Sequence, residues 1–301
     1  MKQVLDATVA RNQLIERIRV AVSRDKKLFL CGVEPEDFIG VRRYIEMEQI
    51  AYEVKPEVIL LEGDTPDARY YAGKAEGAFC RQINDPRWES PSLREVKEAA
   101  DDLGCLVAGI DIDESKRKKL IKKRDIRPGR LTKTCERLNK RSEDLHADSN
   151  NVSDRDYKEL QSLSDALIDN NYKLKTGGNP VIDSYHNLEI MSGIIKPHAH
   201  IILKYFSKKI LPEFNDFVRD LDAYAKQADL RLFENIKKQY TGKQRVLCFL
   251  NYRHLAKDAY LPQHLRKRNM PFMSFTNYGY AQAALEESKF RVLPGSKPSA
   301  G

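Results

Sequence analysis

Apolar residues recur at helical spacing from the start of the chain. Val9, Leu14, Ile15, Ile18 and Val22 line one face of the segment Leu5 to Ser23, which predicts an amphipathic helix. The apolar run Lys27 to Val33 that follows suits a strand buried on both faces of a parallel sheet. Pro35 marks a helix start, with Glu36 and Asp37 in the first turn complementing the helix dipole. That helix is expected to run to about Val54 and stop before Pro56. Glu57-Val-Ile-Leu-Leu-Glu-Gly63 reads as a second buried strand. Strand, crossover helix and strand form a βαβ unit, so the two strands are expected to be parallel neighbours.

The pattern then repeats. A helix over Asp67 to Ile83 leads into a polar stretch with Pro86, Trp88 and Pro91. Ser92 can cap a helix over Leu93 to Leu103, with Glu95 as capping-box partner, and Gly104 can close it. Cys105 to Ile110 forms a third strand. From Ser115 to Tyr240 the pattern is amphipathic and helical with no strand. It has a polar connection over Asp144 to Asp156, a break at Thr176-Gly-Gly-Asn-Pro180, and one break within Ala199 to Tyr240, at Pro212. Strand character returns at Arg245 to Asn251 and at Pro271 to Thr276. A helix over Gly279 to Ser288 follows, and the tail 294–301 is expected to be disordered.

These elements predict an α/β fold: a mostly parallel sheet flanked by helices, with a large helical insertion between the third and the last core strands. Residues 1–114 and 241–293 supply the core and 115–240 the insertion.

Composition changes this picture little. The chain has 301 residues, 41% hydrophobic, with a mean hydropathy of -0.59. No apolar run approaches the roughly 18 residues a membrane helix needs, and the N-terminus lacks the apolar core of a signal peptide. The five cysteines, Cys31, Cys80, Cys105, Cys135 and Cys248, are scattered and never closely paired. That argues against a disulfide framework and for a reducing compartment. A cytoplasmic protein with no membrane association is the expectation.

Charge adds one feature. Lys and Arg total 52 against 44 Asp and Glu, a net charge of +8. Positive residues crowd the segment 116–133, through Lys116-Arg-Lys-Lys119, Lys122-Lys-Arg124, Arg127, Arg130 and Lys133. Such a segment serves as a solvated helix face or as a nucleic-acid contact, though it lacks the aromatic residues on which single strands stack.

Ligands of open parallel sheets bind beyond the carboxyl ends of the strands. Those ends read Gly32-Val-Glu34, Glu62-Gly-Asp64, Asp111-Ile-Asp113 and Asn251-Tyr-Arg-His254. Carboxylates converging on one rim repel unless a cation or proton neutralises them, so Glu34, Glu62, Asp111 and Asp113 are candidate ligands for a hard divalent metal. A carboxylate there could instead act as general acid or base, and His254 would add a ligand or proton carrier. Alternatively Glu62 and Asp111 simply cap following helices. His198-Ala-His200 would suit a metal only if extended, and Pro197 points to a helix start instead. No phosphate-binding loop, dinucleotide turn or nucleophile elbow is present.

The strand ends, in order, resemble the TraB/PrgY family and its Tiki-type, erythromycin-esterase-like and ChaN-like relatives. Lys55-Pro-Glu-Val-Ile-Leu-Leu-Glu62 is similar to that family's strand ending in glutamate, and Arg69 to the arginine after it. Glu98-Ala-Ala-Asp-Asp-Leu-Gly-Cys105 through Asp111 is similar to the alanine-rich element ending in aspartate, and Asn251-Tyr-Arg-His254 to a closing Gly-x-x-His. The first Gly-x-x-His reads Gly32-Val-Glu-Pro35, without its histidine, and Asn251 stands where the second glycine belongs.

The resemblance implies a hydrolase, or a protein derived from one, acting on a peptide or small molecule. Glu62, His254 and Arg69 would be its catalytic residues, and Glu62, Asp111, Asp113, Glu34 and His254 ligands to Mn²⁺ or Mg²⁺. Leu61-Glu-Gly63 with Asp111-Ile-Asp113 also resembles the Toprim domain, which implies a Mg²⁺-dependent nuclease. The absent histidine leaves room for a third class, a non-catalytic binding protein on the same scaffold.

Overall fold

The computed structural model describes residues 7–33, 45–62, 91–110, 114–147, 152–171 and 180–277. Its elements are α1 (Ala7–Ser23), β1 (Leu28–Val33), α2 (Met47–Val54), β2 (Val58–Leu61), α3 (Pro91–Leu103), β3 (Leu106–Gly109), α4 (Glu114–Arg124) and α5 (Pro128–Ala147). These are followed by α6 (Asp154–Asn171), α7 (Pro180–Ile195), α8 (Ala199–Tyr205), α9 (Ile210–Gln239), β4 (Val246–Asn251), a 3-10 helix (Tyr252–Leu255), α10 (Tyr260–Lys267) and β5 (Phe272–Thr276). The expected helices over Asp67 to Ile83 and Gly279 to Ser288, the break before Pro180 and the tail 294–301 lie outside the described residues.

The described residues form two compact units, one within 1–116 and 225–289 and the other within 117–224. The second half of α9, from Ala225 on, therefore belongs to the first unit, although sequence pattern groups it with the insertion.

The first unit is an α/β layer built on a five-stranded sheet of order β3-β2-β4-β1-β5, with every neighbouring pair parallel. Alternate side chains of the strands enter opposite cores. On one face Phe29, Cys31, Ile59, Leu61, Leu247, Phe249 and Phe275 meet α1, α2 and α3. On the other, Leu28, Leu30, Val58, Leu60, Val246, Cys248 and Leu250 meet Leu232, Phe233 and Ile236 of α9 and Leu261 and Leu265 of α10. Cys31, Cys105, Cys135 and Cys248 are buried free thiols, and burial raises all four above the usual thiol range.

The strand order corrects one expectation. β1 and β2 are parallel but not adjacent, because β4 lies between them, pairing Leu28 with Val246 on one side and Val58 with Val246 on the other. A central strand is covered on both faces and both edges, and Val-Leu-Cys-Phe-Leu, buried throughout, suits that position.

Of the helix expected from Pro35 to Val54, residues 34–44 lie outside the described residues, and the described part is not continuous helix. Glu46 is extended (φ -72°, ψ 151°) and α2 starts at Met47. That extended residue lets Ile45 and Met47, two apart, both enter the core. Pro212, expected to break a helix, lies in the first turn of α9, where its missing N–H costs nothing. The break falls instead at 206–209. α3 ends as expected at Gly104, whose φ of +62° lets Cys105 N–H reach Ala100 O at 3.1 Å.

Arg245, one residue before β4, ties the sheet to α2. Its Nη1 donates to Val54 O (3.0 Å) and Lys55 O (3.3 Å), carbonyls at the helix end, while its N–H donates to Glu57 Oε2 (2.6 Å). Arg245→Met keeps the apolar stem and removes the side-chain donors. Urea unfolding is expected to show a loss of about 1–2 kcal/mol; an unchanged midpoint would contradict this role.

The second unit is helical in its described residues. Leu131, Cys135 and Leu138 of α5 are buried, as are Leu160, Leu163 and Leu167 of α6 and Leu188, Met191 and Ile195 of α7. This three-and-four spacing lets the three helices pack together. α8 is fastened to α6 through Asp156, which accepts from Lys204 Nζ (2.5 Å) and Tyr205 Oη (2.6 Å). Those two donors lower the Asp156 carboxyl to about 2. Among the described residues no helix is long and apolar enough to cross a membrane.

Candidate functional site

Glu62 directly follows β2, and its N–H continues the ladder to Phe249 O of β4 (2.9 Å). β4 ends at Asn251, whose side-chain oxygen accepts from Arg253 N–H (3.1 Å). This asparagine turn starts the 3-10 helix Tyr252–Leu255. Asn251 has φ -56°, an ordinary value that needs no glycine, and its side chain does work a glycine could not. Buried Tyr252 and Leu255 anchor the short helix, and His254 is carried back toward the end of β2.

The outcome is a direct contact. His254 Nε2 lies 2.9 Å from Glu62 Oε1, with the two side chains 19% and 12% exposed. Glu62 Oε2 accepts from Asn251 N–H at 2.9 Å. The other imidazole nitrogen, Nδ1, meets Oδ1 of Asp229, a residue of α9 whose side chain is only 3% exposed. Oδ2 of Asp229 accepts from the N–H groups of Tyr260 (2.6 Å) and Leu261 (2.8 Å), which open α10. His254 is thus held between two carboxylates from different parts of the chain.

The contact geometry fixes where protons sit. A neutral imidazole that donates Nδ1–H to Asp229 would turn the Nε2 lone pair on a carboxylate oxygen, which repels. The 2.9 Å contact therefore requires a proton between Nε2 and Glu62. Burial lowers the proton affinity of His254, but Glu62 and Asp229 outweigh it and hold the imidazole well above its ordinary 6.5. One imidazolium thus stands between two carboxylates.

Gly32 of β1 sits beneath this turn. A Cβ there would fall 2.9 Å from Tyr252 Cα, 3.0 Å from Tyr252 Cβ and 3.1 Å from Thr276 Cγ2. The backbone atom cannot yield without moving the 3-10 helix. Gly32→Ala is expected to cost about 1–3 kcal/mol by overpacking and to shift the His254 resonances in an NMR spectrum. Wild-type stability with an unmoved His254 would contradict the close approach.

Of the residues singled out from the sequence, Glu62 and His254 meet, while Glu34, Arg69, Asp111 and Asp113 lie outside the described residues. β3 leads toward the same rim, since Ile110 N–H donates to Leu61 O (3.0 Å) and Ile110 O accepts from Asn235 Nδ2 (2.8 Å). Among the described residues no group of three or more His, Cys, Asp or Glu side chains could hold a metal ion. Both nitrogens of His254 are engaged, so a cation at Nε2 would have to replace the proton there.

His198 and His200 go separate ways. His198 Nδ1 contacts Ile194 O (2.9 Å) and His200 Nε2 contacts Glu159 (2.5 Å). In the basic segment, Lys116, Lys118, Lys119, Lys122 and Lys123 are exposed on α4. Arg127 is paired with Asp125 (2.8 Å) and Arg130 with Asp220 (3.1 Å).

Sequence reasoning missed Asp229. The signal was there: Asp229 falls in line with Leu232, Phe233 and Ile236 on the apolar stripe of α9, where a charge needs a buried partner. No protein-family model, curated protein or solved structure matches the chain.

Proposed function

We propose that the chain is a hydrolase of the TraB/Tiki type, or a protein derived from such hydrolases, acting on a peptide or small molecule through Glu62 and His254. The observation that carries this reading is the 2.9 Å contact between the two residues at the carboxyl ends of adjoining strands. The shared proton makes the pair a general acid–base unit. With the proton on His254, Glu62 is an anionic base that can take a proton from an attacking water. The pair then returns a proton to the departing nitrogen or oxygen.

Arg69 would contact a substrate carboxylate or the developing oxyanion. A Mn²⁺ or Mg²⁺ ion would polarise the scissile carbonyl. Glu34, Asp111 or Asp113 would hold it, leaving Glu62 and His254 to share their proton. The Toprim-type reading has no use for His254, which is the residue most completely built into the site.

The test is to incubate purified protein with a peptide mixture and a panel of small esters and amides, with Mn²⁺, with Mg²⁺ or with chelator, and to read the products by mass spectrometry. Plasmid DNA and RNA are run in parallel. Hydrolysis of a peptide, ester or amide that the Glu62→Gln variant lacks is the expected result. Mg²⁺-dependent nicking that requires Asp113 would overturn the reading in favour of the nuclease. Retention of a ligand without turnover would favour the binding protein. Binding of nucleic acid through residues 116–133 without cleavage is compatible with all three and decides nothing.

A further inference from the structure

We infer that Asp229 is the positioning residue of this centre: it fixes the ring of His254 so that Nε2 faces Glu62, and it ties that ring to the start of α10. The inference rests on the reading of Glu62 and His254 as the functional pair, and Asp229 itself need touch no substrate.

Three observations carry it. First, Asp229 uses both oxygens, Oδ1 on His254 Nδ1 and Oδ2 on the N–H groups of Tyr260 and Leu261. A half-turn of the imidazole would present carbon to both Asp229 and Glu62, so the two carboxylates together select one ring orientation. Second, the cap of α10 does not by itself call for a buried charge. Ala259, at the N-cap, has φ -62° and ψ 148° with no side-chain cap, a backbone at which Ser or Asp could accept from Leu261 N–H locally. Placing the acceptor on α9 makes sense when the acceptor must also reach His254. Third, Asp229 and Arg117 are the buried charged residues among the described ones, and Asp229 lies at 2% exposure in line with Leu232, Phe233 and Ile236. A carboxylate in that place needs hydrogen-bonded partners on both oxygens, and His254 is one of them.

The test separates positioning from capping. Asp229→Asn is made alone and together with Ala259→Asp, which gives α10 its own N-cap. Asp229→Asn is expected to abolish the single set of His254 ring-nitrogen resonances in long-range ¹H–¹⁵N spectra, replacing it with a changed tautomer or a broadened signal. It is also expected to lower kcat by at least about 10–100-fold with little change in KM. That figure is the scale for losing a partner that orients a metal-bound histidine, and a larger loss is known for an acid–base histidine. Ala259→Asp alone should leave both readouts at wild type. In the double variant the hydrogen bond to Leu261 N–H, and with it part of the thermal midpoint, should return, while His254 and kcat stay perturbed. The double variant is also the arm to use if the single one does not fold.

Recovery of the His254 spectrum and of kcat in the double variant would overturn the inference, because Asp229 would then be a cap and nothing more. So would an unperturbed His254 in the single variant. The spectrum needs no substrate, so if the protein turns over nothing and His254 still loses its fixed ring, the functional reading fails while the positioning role stands.

Discussion

Replacing His254 with alanine is expected to destabilise the protein by about 3–5 kcal/mol near neutral pH, the scale for removing one member of a buried charged group. The imidazolium is the cation between Glu62 and Asp229, whose side chains are 12% and 3% exposed. Without it two carboxylates share a low-dielectric pocket, where backbone N–H groups of Asn251, Tyr260 and Leu261 donate to them but supply no cation. The pH dependence follows from the direction of the shift. His254 is raised above 6.5 in the folded state, so its contribution is fully present below 6.5 and is lost as the pH climbs through the folded value. The gap between wild type and variant should therefore be widest at mildly acid to neutral pH and narrow as the pH climbs through the folded value. Urea unfolding at several pH values measures it. A gap below about 1 kcal/mol throughout, the scale of an exposed ion pair, would mean that His254 is not the buried cation the geometry makes it.

Much of this fold was legible because local pattern carries it. Val-Ile-Leu-Leu at 58–61 and Val-Leu-Cys-Phe-Leu at 246–250 are apolar without alternation, the mark of strands covered on both faces, and both lie inside the parallel sheet. Strand order is a different matter. Nothing in residues 27–63 tells that β4, some two hundred residues later, will pair between β1 and β2, because the order is decided by which face of which helix covers which strand. The same division holds in the site. Glu62 and His254 could be found because each stands at the end of a strand-like run, and parallel strands bring those ends to one rim. Asp229 could not be found by that rule. It belongs to a helix, and aspartate within a helix ordinarily faces water. Only its alignment with Leu232, Phe233 and Ile236 marks it as buried. The glycine missing at 251 looked like a departure from the resembling motif, yet the turn needs no left-handed residue there and uses the Asn251 side chain as a cap. Gly32, by contrast, is required by an approach of Tyr252 Cα that no local pattern records.

Glu62→Gln is expected to separate function from stability, lowering kcat/KM by about 10²–10⁴-fold, the usual contribution of a general acid–base group, while changing the unfolding free energy by no more than about 1 kcal/mol. The reason lies in the hydrogen bonds of the cluster. Glu62 accepts from Asn251 N–H on one oxygen and from His254 Nε2 on the other. A glutamine can keep its carbonyl on Asn251 N–H and turn its amide N–H₂ toward Nε2. The imidazole then becomes neutral, donating Nδ1–H to Asp229 and accepting at Nε2, and all three hydrogen bonds survive. What is lost is the proton between residues 62 and 254, together with the carboxylate that would accept another from water. Alanine at position 254 has no such arrangement open to it, so the two variants should diverge: one silent and nearly as stable as wild type, the other markedly unstable. Steady-state rates on whichever substrate the product screen yields, set beside urea midpoints for both variants, give the comparison. Activity within tenfold of wild type in Glu62→Gln would remove Glu62 from the chemistry. A stability loss as large as that of His254→Ala would mean that the carboxylate serves chiefly as the counter-ion of His254.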